Sequence, residues 1–555
     1  MSNNRRDFIK TFAGGAVAIG FGGTTVASGD LITDKREIPP EQKLEVSDQG
    51  AIVETFYGKV RGYRRNAIYT YKGIPYGAST AAVNRFMAPR EPISWTGVRN
   101  ALTWGPSAPQ NSGRKGNANL YKEIDTEVFC NAFSFHWSDL IYSEDCLRIN
   151  IWTPGINDHK KRPVLLWLHG GGFTNGSSIN LDAYMGENLS KSGDVVVCSI
   201  NHRLNAFGYM NLAIVGGEQY KNSANAGMLD IVAALRWIKA NIGNFGGDPG
   251  NVTLFGQSGG GHKTSLIMAM PAAKGLFHKA MTMSGSTIKT GEYDQAAELG
   301  RAVLNEAGLT ASRIKELQEL PWMDFFDLSV RVADRMGRGF GPCLDTVNIP
   351  HNPFDPVASP LAAGVPMIIG CCMNEESPSE NDPSVEGITL DGLKMRLTAR
   401  FKDKTNELIN AYARCFPEKR PIEIWGLLSG GARTAALLQA ERQVANGGSV
   451  YNYWFNWKTP LYDGRPRAYH SSDIAFWFKN TDVMDTLTGG GARPGMLGEK
   501  MSRALISFAQ TGNPNHPGIP NWPKYDAKDG AVMIWDDTCE VKNDPDREAR
   551  KVLNS

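Results

Sequence analysis

The chain has 555 residues, 41% hydrophobic and 10% aromatic, which is ample for a large buried core and excludes a disordered protein. The 60 glycines and 30 prolines imply many turns, without the period of a fibrous repeat. With 59 basic against 57 acidic residues the formal charge is +2 and no basic block stands out, so nucleic acid is not an expected partner.

The first residues read as an address. Arg5-Arg6-Asp7-Phe8-Ile9-Lys10 precedes a small, glycine-rich apolar run, Phe12 to Phe21, and Val26-Ala27-Ser28 offers small residues for cleavage. Residues 1–28 resemble a twin-arginine signal peptide, which is receptor-read and removed. The run falls short of the roughly 20 residues a spanning helix needs, and no later segment is long and apolar enough, so no stable membrane span is expected. This predicts export to the periplasm or beyond, with the twin-arginine machinery as the precursor's partner. Residues 29–50 are a polar lead-in with Pro39-Pro40.

Residues 51–552 read as one domain, with no internal repeat and no linker. Short strands and turns begin at Ile52. Pro163–Leu168 and Asp194–Ile200 are continuous apolar runs. Leu229–Ile242 has helical spacing, with Leu229, Val232, Leu235 and Ile238 on one stripe. Val252–Phe255 is a third strand, Thr264–Met270 a helical stretch, Ala280–Met283 a fourth strand. Apolar strands alternating with helices predict the α/β class, with a largely parallel sheet buried on both faces.

Strand Val252–Phe255 feeds into Gly256-Gln257-Ser258-Gly259-Gly260, the G-x-S-x-G pattern at a strand–turn–helix junction. A serine on so sharp a turn is strained, and side chains two positions either side would collide. The following helix aims its partially positive amino end at the hydroxyl. A serine needs a base, and the base an orienting acid, in chain order Ser, acid, His. His470 and His516 follow every plausible acid. His516 lies in a surface turn, whereas His470 precedes the apolar Ile474–Phe478 and is the favoured base. Strand Pro366–Gly370 leads to Glu375-Glu376, and local chemistry alone does not choose between these acids. His169-Gly170-Gly171-Gly172, after a strand, offers backbone N–H groups for an oxyanion, and Gly259 N–H offers another. Losing one such donor typically costs about 3–4 kcal/mol. His169 is read as holding the loop.

Assembled, these residues make the chain resemble the type-B carboxylesterase and cholinesterase family of α/β-hydrolases, from about Ile52 to Pro545. The marks are "YKGIPYG", "SEDCLRINIWTP", "LWLHGGGF", "NHRLNAFGYMNL", "GNVTLFGQSGGG", "AYHSSDIAFWF" and "FAQTGNPN". The resemblance implies an α/β-hydrolase fold with helical and loop excursions around an active-site gorge. It implies Ser258 as nucleophile, His470 as base and Glu375 as acid, the acid being five residues past Gly370. It implies Gly171, Gly172 and Gly259 as oxyanion donors. It also implies hydrolysis of a small ester through an acyl-serine, with no metal or organic cofactor. A catalytically silent binding module, or a lipase or acyltransferase variant, is the alternative.

The sequence departs from the family in places. Gln257 stands where glutamate is common, which removes a charge beside the site and predicts weak preference for cationic esters. Ala108 replaces the usual disulfide partner of Cys146, so either Cys130 substitutes or Cys146 stays a buried thiol. None of the eight cysteines falls in C-x-x-C spacing and no histidine cluster accompanies them, which argues against structural zinc. Phe129, Phe133, Phe135 and Trp137 either line a gorge or lid or pack a loop onto the core. Glu376–Asp382, "ESPSEND", reads as a solvated turn. Cys371-Cys372 read as small core fillers, and His262 and Lys263 as structural.

Overall fold

The apolar runs become the strands of a central sheet. The computed structural model describes residues 43–110 and 141–555. The expected signal peptide over 1–28, most of the lead-in, Cys130 and the aromatic stretch 129–137 lie outside the described residues. Lys43–Ser555 forms one unit, and Leu44–Glu45, inside the expected lead-in, already pairs with Tyr63–Arg65.

Among the described residues, seven parallel strands occupy the middle of a 12-stranded sheet. In chain order they are β1 (Arg162–Leu168), β2 (Val196–Ile200), β3 (Gly247–Gln257), β4 (Lys279–Met283), β5 (Met367–Cys372), β6 (Val450–Phe455) and β7 (Ala531–Trp535). Their spatial order is β2-β1-β3-β4-β5-β6-β7, with antiparallel strands continuing both edges. From β1 the chain steps to β2 on one side and then to β3 on the other. That reversal is a topological switch point, where crevices form beyond the carboxyl ends of strands.

Alternate side chains of each strand enter two separate cores. Val164, Leu166 and Leu168 of β1 join one cluster, and Leu165 and Trp167 join the other. The first face is covered by α1 (Ala226–Asn241), α2 (Gly259–Ile267) and α3 (Ala432–Ala445), the second by α4 (Ala492–Thr511). Burial of both faces explains why these strands read as unbroken apolar runs. Helix α1 is buried beyond its expected stripe. Its Asp230 is fully enclosed and meets Arg203 through a pair of hydrogen bonds of 2.6 and 2.9 Å.

Helix α2 differs from expectation: it starts at Gly259, not Thr264. Glycines have poor helix propensity, but here the close approach of other backbone segments overrides it. Cys146 is a buried free thiol, which leaves the family disulfide unformed at that position. Cys371 and Cys372 are buried in the core, as fillers should be. Among the described residues no helix is long and apolar enough to cross a membrane.

Candidate active site

Strand β3 ends at Gln257, and Ser258 takes φ 53° and ψ −122° before α2 begins. An L-residue adopts this backbone only where its surroundings enforce it. Ser258 N–H donates to Met283 O at 2.8 Å, and Ser258 O accepts from His262 N–H at 2.9 Å. A Cβ at 256 would overlap the backbone of Gly260, and one at 260 would overlap Leu168 O. The glycine spacing read from the sequence is thus a packing requirement between β1, β3 and α2.

The loop after β1 carries the candidate oxyanion donors. Gly171 and Gly172 have φ of +82° and +60°, in the region glycine tolerates. The Gly170 carbonyl is engaged by the His169 ring (Nδ1 to O, 2.9 Å) and the Gly171 carbonyl by Asn175 N–H (3.0 Å). A trans peptide points its N–H opposite its C=O, so the N–H groups of Gly171 and Gly172 turn the other way. Among the described residues neither has an acceptor. Gly172 lies directly against Gly259, where a Cβ would collide with it. His169 is buried and stacks on His202 at 4.8 Å; burial holds its pKa well below the usual value, so the ring is neutral.

Glu375 lies just past β5, and its Oε2 is hydrogen-bonded to His470 Nδ1 across 95 residues of chain. Its Oε1 accepts from Cys372 N–H at 2.8 Å. Glu376 is exposed, so of the two acids it is Glu375 that the fold brings to the ring. Burial opposes charge on His470, but the charge and hydrogen bond of Glu375, with Asp473 and Glu380, outweigh it and raise its pKa. Nε2 of His470 stands 3.2 Å from the Gln257 side-chain amide. Ser258 and His470 line one cavity of about 310 Å³, together with Gly170, Gly171, Gln257 and Glu380. His516 is elsewhere, bonded to Lys500 O at 2.9 Å.

The chain has relatives among known proteins. The model of the carboxylesterase family matches residues 49–552. The chain belongs to the carboxylesterase family. As a member it is a carboxylic ester hydrolase with the α/β-hydrolase fold. It is 33% identical over 516 residues to the para-nitrobenzyl esterase of Bacillus subtilis, covering 90% of this chain and 98% of that protein. It is 31% identical over 513 residues to the phenmedipham hydrolase of Pseudarthrobacter oxydans, covering 89% and 97%. Among solved structures, an esterase from Clostridium hathewayi superposes with a TM-score of 0.78 at 35% identity, covering 92% of this chain and 99% of that one. A Geobacillus stearothermophilus carboxylesterase superposes at 0.75 and 31%, covering 90% and 99%.

In this carboxylesterase the loop 376–382 is only in part the solvated turn its composition suggested, with Glu376, Asn381 and Asp382 exposed. Ser377 and Ser379 are buried, and Glu380 lines the cavity. Burial pushes the Glu380 carboxyl up to about 7, against the pull of His470 and Arg465. The polar groups find partners on the segment that carries His470. Arg465 donates to the backbone carbonyls of Ser379 and Glu380. Arg467, 1% exposed, donates to Ser379 Oγ at 2.9 Å and to both carboxylate oxygens of Glu386 at 2.7 and 2.8 Å. Asn374 N–H donates to Ala468 O at 3.1 Å. These bonds staple the acid loop to the histidine loop. Sequence reading missed them; the one available signal was Arg465 and Arg467 flanking the histidine. Among the described residues no three His, Cys, Asp or Glu side chains gather as metal ligands.

Proposed function

We propose that this chain is a serine carboxylesterase that works through an acyl-Ser258 intermediate, with His470 as general base and Glu375 as its orienting acid. The observation that carries the reading is the Glu375–His470 hydrogen bond, with the far imidazole nitrogen on the cavity onto which Ser258 opens. A proton on Nδ1, held by Glu375, leaves Nε2 as the acceptor. Ser258 Oγ attacks the ester carbonyl and its proton passes to Nε2. The oxyanion that forms is met by N–H groups of Gly171, Gly172 and Gly259, the last also at the positive end of α2. His470 then protonates the leaving alcohol, and water repeats the cycle on the acyl-enzyme. Catalytic hydrogen bonds are often long before substrate arrives, so the serine and the ring need only share the cavity at rest.

The reading extends to location: the arginine pair and short apolar run at residues 1–28 support export by the twin-arginine route. Mass spectrometry of the exported chain tests this, and an uncleaved chain retained inside the cell would count against it.

A chain-length series of p-nitrophenyl esters, run beside Ser258→Ala, tests the mechanism. The variant should lose roughly 10⁴-fold or more of kcat, as triad removal does elsewhere. Unchanged turnover would remove Ser258 from the reaction.

A further inference from the structure

Lys263 is fully buried, on the second turn of α2. Among the described residues it makes no ion pair. Its Nζ instead donates to two backbone carbonyls, His169 O at 3.1 Å and Gly172 O at 2.8 Å. It also lies over the Phe173 ring, 5.6 Å from its centre. A buried ammonium without a carboxylate is a costly choice, and helix α2 elsewhere buries apolar residues such as Leu266 and Ile267. Burial lowers Lys263 to about 7. The neutral amine still carries N–H donors, so the two bonds do not depend on its charge.

The two carbonyls have a definite place in the loop. They belong to the peptide groups immediately before and immediately after the pair whose N–H groups are those of Gly171 and Gly172. The carbonyls of that inner pair are already engaged by the His169 ring and Asn175 N–H. Four successive carbonyls are therefore drawn into the protein, the outer two by one side chain. Each carbonyl drawn in turns the next N–H outward.

Gly259 adds an independent observation. It precedes Lys263 by four residues and so shares its helix face. A Cβ at 259 would collide with the Gly172 carbonyl oxygen, the same atom that Lys263 binds. The missing side chain at 259 and the long one at 263 form one device: the first clears a path and the second holds what enters it.

We propose that Lys263 is a positioning residue for the oxyanion loop, tying the carbonyls of His169 and Gly172 so that the amides between them face the substrate. The inference rests on the serine-esterase reading above. Lys263→Met keeps the length and apolar stem but removes both donors; Lys263→Gln keeps an amide N–H. Each full-length variant is assayed with p-nitrophenyl butyrate, with rates normalised to the fraction of chains labelled at end-point by a fluorophosphonate. Inhibition by an alkyl trifluoromethyl ketone, whose serine adduct carries the oxyanion, is measured in parallel. For Lys263→Met, kcat should fall roughly 100-fold with KM moving less than about threefold, and ketone affinity should fall in proportion to kcat/KM. Lys263→Gln should recover part of both.

The proposal is overturned if ketone affinity in Lys263→Met stays within about threefold of wild type, whatever happens to kcat. If the methionine variant does not fold, Lys263→Gln is judged by the same proportionality between ketone affinity and kcat/KM. Failure of the underlying reading looks different: wild-type protein would then turn over no ester, or Ser258→Ala would keep its activity.

Discussion

The side-chain amide of Gln257 stands 3.2 Å from Nε2 of His470, on the opposite side of the ring from Glu375. In the proposed mechanism this is the nitrogen that receives the Ser258 proton. The ring is thus gripped at both ends, by a carboxylate that favours its charged form and by a neutral amide that does not. Glutamate at 257 would place a second anion against the imidazole.

Gln257→Glu should therefore raise the pH at which His470 gives up its proton, shifting the acid limb of kcat/KM upward by about one pH unit. It should also raise the ratio of kcat/KM for a choline ester to that for its neutral isostere. In the wild type that ratio should stay within about tenfold, since Gln257 carries no charge and burial keeps Glu380 largely protonated below about 7. A large wild-type advantage for the cation would sink the argument.

Glu375 should set the pH profile in the same way. Its charge and hydrogen bond raise the His470 pKa against the effect of burial, and only the neutral ring can act as base. The acid limb of wild-type kcat/KM should lie above 6.5, the ordinary histidine value. Glu375→Gln should move it lower and reduce kcat by roughly 10³–10⁴-fold. The stability effect has a definite sign: protonated His470 is favoured in the folded state. That increment is fully present below the unfolded-state pKa and is lost as pH rises through the folded-state value. A kcat/KM profile unmoved by Glu375→Gln would exclude the carboxylate as the ring's partner.

The elbow was readable because its physics is local: two glycines must flank a serine two residues away, and strand β3 runs straight into it. The preference for His470 over His516 was legible too, since His516 lies in a turn rich in proline and asparagine, and it is His470 that lines the cavity with Ser258. What escaped depends on distant partners. Glu375 and Glu376 are neighbours of like chemistry, and only contact with a ring 95 residues on separates them. The polar loop 376–382 suggested solvent, because Arg465 and Arg467, which satisfy it, lie more than 80 residues away. The glycines at the start of α2 read as turn, because the carbonyls that crowd Gly259 and Gly260 belong to the end of β1 and the loop after it, far off in sequence. Lys263 read as structural, since its acceptors are backbone atoms with no sequence signature.

The crowding at Gly260 gives a sharp stability prediction. A Cβ there would overlap Leu168 O, a backbone atom of β1 that cannot swing aside. Gly260→Ala should cost more than about 3 kcal/mol, at or beyond the upper end for overpacking. Gly243→Ala, where no atom of the described residues lies within 4 Å of the added carbon, should stay within about 0.5 kcal/mol. Urea denaturation of both variants checks this, and similar midpoints would mean that the strand–helix approach is looser than the structure has it.

The staple between the acid loop and the histidine loop should be visible as acid sensitivity. Glu386 bonds both Arg467 and Arg420 and accepts from Ser379 Oγ at 2.6 Å. Burial alone would raise its pKa, but these bonds, Arg467 foremost, hold it at about 2. A carboxylate held low contributes stability above its unfolded-state pKa and loses it as pH falls toward the folded value. Glu386→Gln leaves the Arg467 guanidinium buried without its counter-charge, so it should cost about 3 kcal/mol at pH 7. At about pH 3 the wild type has itself lost part of that contribution, and the gap between the two proteins should narrow by roughly half. Thermal midpoints measured at both values decide the matter: a gap that stays constant, or widens in acid, would show that Glu386 does not bind Arg467 as a carboxylate.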